Sequence, residues 1–390
     1  MAEPALLPAA DWTRREDLAA LVQALGEGQG RYVGGAVRDT LLGLPVKDID
    51  MATPLAPETV IERLGAADIR TIPTGIAHGT VTALLPGGPV EITTLRHDVS
   101  TDGRRATIAY AEDWQDDAAR RDFTINALYA DPLSRQLFDW FGGLDDLAHR
   151  RIRFIGDARQ RIREDHLRIL RYFRFQARFG SEPADAEAES ACAELAPMLK
   201  GLSRERIAME LLNLLALPDP APTVARMGEL GVLGEVLPEG EPAALAPLIG
   251  AEQAAAIPPD PLRRLAALLP ADPAAADQVG ARLRLSTAQR KRLVTAAGRE
   301  ADPGNPRALA YRLGRDEAID RLLLTGHDVA PLDGWEIPRL PLKGGDIVSR
   351  GVSAGPEVAR ILREVEARWV AEGFPPEARI RELLDHALAS

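Results

Sequence analysis

Residues 31–53, RYVGGAVRDTLLGLPVKDIDMAT, decide how the N-terminal part of the chain folds. Arg31-Tyr32-Val33 reads as the end of a strand running into Gly34-Gly35, and AVRDTLLG reads as the helix after it. Residues 48–53, DIDMAT, alternate as a strand with one buried face does. Side chains at i and i+2 of a strand share a face, so Asp48 and Asp50 project together while Ile49 and Met51 face inward. Two carboxylates crowded on one face repel each other unless a cation lies between them. Mg²⁺ takes carboxylate, phosphate and water oxygens. A pair of such ions can activate an attacking hydroxyl and stabilise a leaving pyrophosphate. Gly34 and Gly35 permit close approach of backbone to a triphosphate, and Arg38 offers a phosphate clamp. Alone, Gly-Gly fits a plain tight turn, and Asp-x-Asp fits a solvated strand edge. Together they favour phosphate and metal.

Working outward, Pro57 in PETVIERLG suits the first turn of a helix. GTVTALL (79–85) and PVEITTLR (89–96), split by a turn-like PGG, predict an antiparallel hairpin. Glu91 lies mid-strand between Val90 and Ile92 and is the candidate third carboxylate; a solvent-facing strand residue is the alternative. Residues 97–118 are polar and weakly periodic and read as a mobile loop.

The character changes near residue 158. RQRIREDHLRILRYFRFQARF (159–179) predicts one long helix with a wet face, and LSRERIAMELLNLLAL (202–217) another, with Ser203 as N-cap. Residues 217–275 carry recurrent leucines interrupted by prolines, which fits short helices. Ser286-x-x-Gln289 has a capping-box pattern, and GPEVARILREVEARWVAEGF (355–374) is amphipathic. No fixed-period repeat is visible. The reading is an α+β head followed by an all-helical remainder.

Composition narrows the class. With 390 residues the chain holds two to four modules, and 46 % hydrophobic with 27 % charged residues is ordinary for a globular protein. No apolar run approaches a membrane span, and MAEPALLPAADWTRRED lacks a signal-peptide pattern, so a cytoplasmic protein is expected. A single cysteine, Cys192, excludes an internal disulfide and a thiolate zinc cluster. Six scattered histidines lack metal-ligand spacing, and neither His97-Asp98 nor His327-Asp328 has the companions a metal phosphohydrolase needs. A net charge of −11 opposes nucleic-acid binding at first sight. Ten arginines between Arg150 and Gly180, however, meet only Asp157, Glu164 and Asp165 within the segment, leaving it about +7. That fits RNA binding as well as a salt-bridged helix face. Arg282, Arg284, Arg290, Lys291 and Arg292 form a second basic cluster with the same two readings.

Asp165 and Arg168 stand at i and i+3, on one face of the expected helix. Cytosine and adenine each present an amine donor beside a ring-nitrogen acceptor. An Asp accepting from the amine and an Arg donating to the ring nitrogen would select both and leave uracil and guanine mispaired. Taken alone, the pair is also a plain salt bridge.

The ordered runs RYVGGAVRDTLLGLPVKDIDMAT, TGIAHGTVTALL, PVEITTLRHD, DGRRA, DDAARRDFTINALY and EDHLRILRYFRF resemble the class II CCA-adding enzyme and bacterial poly(A) polymerase family. The likeness is close over roughly residues 30–215. It implies a polymerase-β-like nucleotidyltransferase head of mixed or antiparallel sheet (1–147), a helical neck that recognises the base (148–215), and a helical body and tail that binds tRNA (216–390). It implies that Asp48 and Asp50 hold two Mg²⁺ ions, with Glu91 as the third carboxylate. It further assigns Gly34, Gly35 and Arg38 to the triphosphate, Arg121, Asp122 and Asn126 to ribose and phosphate, and Asp165 and Arg168 to the base. Arg171 and Arg174 follow along the same face. The implied substrates are CTP and ATP and the implied partner tRNA, with no membrane and no obligate protein partner. TGIAHGTVT resembles CCA-adding members rather than the poly(A) polymerases, and a full-length loop between Arg96 and Arg120 favours complete C-C-A addition over CC addition. Poly(A) synthesis and a catalytically retired RNA-binding module are the alternatives.

Overall fold

The computed structural model describes residues 5–76, 79–102, 105–111, 113–299 and 305–389. The chain divides into two compact units, Met1–Arg206 with Arg226–Val236, and Ile207–Ala225 with Leu237–Ser390. No helix among the described residues is long and apolar enough to cross a membrane.

In the first unit, α1 (Glu16–Leu25) precedes β1 (Arg31–Val33), α2 (Gly35–Leu41), β2 (Ile49–Thr53) and α3 (Pro57–Ala66). Strands β3 (Thr71–Gly75), β4 (Thr80–Leu85), β5 (Gly88–Thr94), β6 (Arg96–Asp102) and β7 (Arg105–Tyr110) follow. After α4 (Trp114–Ala119) come β8 (Tyr129–Ala130), β9 (Leu137–Phe138) and α5 (Gly143–Ala148). Seven strands form one mixed sheet in the order β3-β4-β5-β2-β1-β8-β9. Strand β2 lies parallel to β5 and antiparallel to β1. The β4–β5 hairpin closes with Leu85 opposite Gly88, as the sequence predicts.

Alternation builds the sheet's core. Ile49, Met51, Val90 and Ile92 are all buried, and full burial of a side chain of this size contributes about 1.5–3 kcal/mol. The intervening Asp50 and Glu91 stay on the accessible side, with Glu91 exposed and Asp50 half-buried.

One expectation is corrected here. The described residues of 97–118 are not a loop: β6 and β7 pair antiparallel as a separate two-stranded sheet, and α4 occupies the end of the segment. The pairing runs through backbone groups, so the polar sequence gave no period-2 signal. Ala77 and His78 of the TGIAHGTVT run and Gly103 and Arg104 of the DGRR run lie outside the described residues.

A second correction concerns the long helix expected over 159–179. The chain forms α6 (Ala158–Glu164) and α7 (Arg168–Phe179), separated at Asp165–Leu167. Asp165 is extended (φ −152°, ψ 104°), and its carboxylate accepts the backbone N–H of Leu167 at 3.1 Å. An Asp that caps the next turn competes with continuing the helix through it. Helix α7 is fixed by aromatic packing: Phe123 meets Phe154 and Phe175 with centroids 5.0 Å apart, and Phe154 stacks on Tyr172 at 5.8 Å. Such pairs add about 0.5–1.5 kcal/mol each beyond burial. Helix α8 (Ala186–Leu195) completes this helical layer.

The rest is helical: α9 (Arg204–Leu215), α10 (Ala221–Glu229), α11 (Val232–Val236), α12 (Leu245–Ala254), α13 (Pro261–Leu268), α14 (Pro273–Arg282), α15 (Thr287–Ala297) and α16 (Pro306–Leu313). These are followed by α17 (Arg315–Leu324), α18 (Gly344–Val348), α19 (Pro356–Ala371) and α20 (Glu377–Ala389). Prolines open α13 and α14 behind the caps Asp260 and Asp272, which explains the Pro-rich composition without disorder. Ser286 and Gln289 form the predicted capping box. Two apolar clusters hold the second unit, one on Leu309, Leu322 and Leu332, the other on Ile347, Val365, Trp369 and Leu383.

Candidate active site

The turn between β1 and α2 is set by Gly34, whose backbone (φ 69°, ψ −122°) favours glycine. The register Val33↔Asp50 puts Asp50 beside that turn, and Asp50↔Glu91 pairs the two acids across parallel strands. Asp48 is exposed and immediately precedes β2. Burial raises the Asp50 pKa, and the neighbouring Glu91 and Asp48 charges push in the same direction, while Arg121 opposes them. No three His, Cys, Asp or Glu side chains among the described residues converge into a cation cage. The donor set nevertheless suits Mg²⁺, which binds through one or two carboxylates plus substrate phosphates and water. Among the described residues, the side chains of Asp48, Asp50 and Glu91 accept no hydrogen bond and form no ion pair.

Arg121 approaches the glycine turn from above: a Cβ on Gly34 would lie 3.5 Å from its Nη1. Its guanidinium is held by the Tyr129 hydroxyl at 3.0 Å and by Asp117 at 3.3 Å. Tyr129 in turn donates to Asp117 at 2.5 Å. Neither Asp117 nor Tyr129 stood out in the sequence, because their partnership spans a turn.

A second group of the predicted residues forms one connected chain. Arg38 donates to Asp39 at 2.8 Å and to the Asn126 side-chain oxygen at 2.5 Å, and Asn126 donates to Asp122 at 3.1 Å. One Asp122 carboxylate oxygen accepts from Arg171 Nε at 2.8 Å and from Nη2 at 2.5 Å. Burial pushes the Asp122 carboxyl up, but Arg171, Asn126 and the Phe123 N–H outweigh it and hold the pKa at about 2. Arg38 is buried and lies 4.2 Å over the Phe179 ring, so its guanidinium is already engaged inside the protein. Arg174 packs against the Phe175 ring at 4.9 Å.

Asp165 and Arg168, the pair expected to read the base, do not bond to each other. Asp165 accepts Arg206 at 2.6 Å, whereas Arg168 donates to Glu164 at 2.6 Å and to the Arg161 carbonyl at 2.7 Å. Arg168 does pair with an acid, Glu164 four residues back, but across the break between α6 and α7 rather than along one helix. The break at Asp165 turned the other carboxylate toward α9.

The basic stretch is also quieter than its count suggests. Arg153 pairs with Asp146, Arg159 with Glu194, Arg171 with Asp122 and Arg178 with Asp39, all acids outside the segment. In the second cluster Arg282, Arg290 and Arg292 pair with Glu239, Asp277 and Asp320. Trp12 and Trp369 pack on Tyr32 and Phe374, as structural aromatics do.

A mixed sheet bearing carboxylates beside a glycine turn, with guanidinium groups gathered around it, has the build of a nucleotidyltransferase head. Residues 30–153 match the family described as poly A polymerase head domain, and residues 185–243 the one described as probable RNA and SrmB-binding site of polymerase A. The chain is 35 % identical over 382 residues, 89 % of its length and 84 % of the relative's, to the human mitochondrial CCA tRNA nucleotidyltransferase 1. It is 43 % identical over 189 residues to the CCA-adding enzyme of Streptococcus gordonii, covering 48 % of this chain and 46 % of that one. The crystal structure of the Bacillus stearothermophilus CCA-adding enzyme in complex with CTP superposes with a TM-score of 0.73 at 26 % identity, covering 96 % of this chain and 98 % of that one. The chain belongs to the family of CCA tRNA nucleotidyltransferases, and it is a nucleotidyltransferase.

Proposed function

We propose that this enzyme adds C, C and A in turn to the 3′ end of tRNA, taking CTP and ATP as substrates. The observation that carries the chemistry is the register of Asp50 with Glu91 beside the Gly34 turn, with Asp48, Asp50 and Glu91 all left without hydrogen-bond or ion-pair partners among the described residues. The choice of reaction is supported by likeness along most of the chain to an enzyme named for tRNA CCA addition, and by a neighbour whose structure holds CTP.

In this reading the RNA 3′-hydroxyl attacks the α-phosphorus of the nucleotide, and the bond to pyrophosphate breaks. Asp48 and Asp50, with Glu91 alongside, would hold two Mg²⁺ ions, which when bound supply the charge that activates the hydroxyl and stabilises the departing pyrophosphate. The Gly34–Gly35 backbone makes room for the triphosphate, and Arg121, Arg171 and Arg174 neutralise its oxygens. Asp122 and Asn126 orient the ribose. Asp165 accepts from the amine of cytosine or adenine and Arg168 donates to the ring nitrogen. Arg206 and the Leu167 N–H take only part of the four or so lone-pair sites of the Asp165 carboxylate. Uracil and guanine would leave both side chains opposed to like groups. The cytoplasm is the proposed compartment, although the human relative's name places that protein in mitochondria.

The test is incubation of tRNA lacking its last three nucleotides with Mg²⁺, CTP and ATP, followed by product sizing. Addition of three nucleotides ending in C-C-A is expected. A long A tail would replace this reading with poly(A) synthesis, and no extension would leave a retired RNA-binding module.

A further inference from the structure

Arg161 lies on α6, is buried, and has its guanidinium turned inward. It donates to the main-chain oxygens of Arg120 and, at 2.5 Å, Arg121, and it pairs with the Glu164 carboxylate at 2.5 Å. The same Glu164 oxygen receives Arg168 at 2.6 Å. Arg168 also donates to the main-chain oxygen of Arg161 at 2.7 Å and reaches that of Arg120 at 3.4 Å. The result is a closed loop between two stretches of chain more than forty residues apart. One stretch, Arg120–Asp122, carries the phosphate and ribose side of the site. The other, Glu164–Arg168, carries the base side.

We propose that Arg161 is a positioning residue that locks these two stretches together, so that base selection and triphosphate placement form one rigid unit. The inference rests on the assignment of Arg168 to the base and Arg121 to the phosphates. The carbonyls of Arg120 and Arg121 follow the end of α4, where helix carbonyls lack intrahelical donors. A cation there also meets the negative end of the peptide dipoles. Only a planar fork can serve two carbonyls and a carboxylate at once, so lysine is a poor substitute. Arg161 touches neither base nor phosphate in this scheme. It acts by denying Arg168 and Arg121 independent motion.

The test measures kcat and KM for CTP and ATP, and the rate of UTP misincorporation, in Arg161→Gln, Arg161→Lys and Arg168→Ala, with thermal unfolding of each. Arg161→Gln is expected to raise KM for CTP and ATP together, by about tenfold, and to raise UTP use relative to CTP by a similar factor. Arg161→Lys should move both quantities the same way by less, and it carries the test if the glutamine variant does not fold. A lowered unfolding temperature with an unchanged CTP-to-UTP ratio in the folded variants would reduce Arg161 to a structural residue and overturn the proposal. Arg168→Ala separates the two levels. If it keeps full discrimination against UTP, the base assignment itself fails; if it loses discrimination while both Arg161 variants keep it, only the positioning role fails.

Discussion

Acidic side chains are treated in opposite ways in two regions of this molecule. In the helical unit, Glu252 and Asp320 are fully buried and closed by guanidinium groups: Arg263 bridges both, at 2.6 and 2.9 Å, Arg264 binds Glu252 at 2.8 Å, and Arg292 binds Asp320 at 2.7 Å. Arg264 also donates to the carbonyls of Leu215 (2.8 Å), Leu217 and Pro218 (3.2 Å), which tie the end of α9 to α13. On the central strands of the sheet, Asp50 and Glu91 sit side by side, and neither forms an ion pair among the described residues, Arg121 acting on Asp50 only through its field. Buried charges persist only when paired, and removing one partner strands the other. Burial and the neighbouring Glu91 charge raise the Asp50 pKa, a cost that a bound cation would relieve. The first pattern is architecture, and the second fits the metal-holding role proposed for these acids.

Asp50 is where the contrast between paired and unpaired acids should show most in activity. Asp50→Asn is expected to reduce nucleotide addition by at least about a thousandfold, since it would remove a group proposed to hold the reaction's metals. Its unfolding temperature should stay level or rise, because the burial and repulsion that raise the Asp50 pKa disfavour its charged form. A large fall in stability would instead make Asp50 structural. The converse holds for Glu252→Ala, which should cost about 3–5 kcal/mol in denaturant unfolding by leaving Arg263 and Arg264 uncompensated. The KM for CTP of the folded fraction should not change.

Asp122 lies between these extremes, since it is buried and paired yet belongs to the site. Its pKa is depressed from the usual carboxylate value to about 2. Its stabilising contribution is therefore complete above about pH 4 and is lost as pH falls toward 2, amounting to roughly 2 kcal/mol. Asp122→Asn should flatten the stability profile in that window and weaken nucleotide use; an unchanged acid limb would remove the Arg171 pairing as its cause. The smallest effect is expected at the exposed Arg290–Asp277 pair. Asp277→Ala should leave the unfolding midpoint unchanged within error, and a gain in tRNA affinity would show that Arg290 becomes available to RNA once released.

How far the sequence disclosed this follows from which forces leave a local trace. Alternation in DIDMAT put Ile49 and Met51 inside and Asp50 outside, because burial and strand pleat share the same period. The PGG turn disclosed the β4–β5 hairpin for the same reason. The β6–β7 hairpin left none, since polar strands paired through their backbones lack an apolar rhythm. The break at Asp165 escaped notice because the hydrophobic spacing continues across it, while the cause is one carboxylate capping Leu167. Ionic partners were the least legible. Asp165–Arg206 and Arg171–Asp122 join residues dozens apart, and a charge count over Arg150–Gly180 cannot see acids that arrive from elsewhere in the fold.

The claim beneath all of this is that Asp48 and Asp50 stay unpaired in order to gather divalent ions under a bound triphosphate. Manganese binding, followed by electron paramagnetic resonance in the presence of CTP with a non-hydrolysable α,β bridge, addresses it without requiring turnover. Tight Mn²⁺ sites are expected in the unaltered enzyme and their loss in the Asp48→Asn/Asp50→Asn double variant, with the folded state retained. Equal Mn²⁺ binding by the two proteins would contradict it.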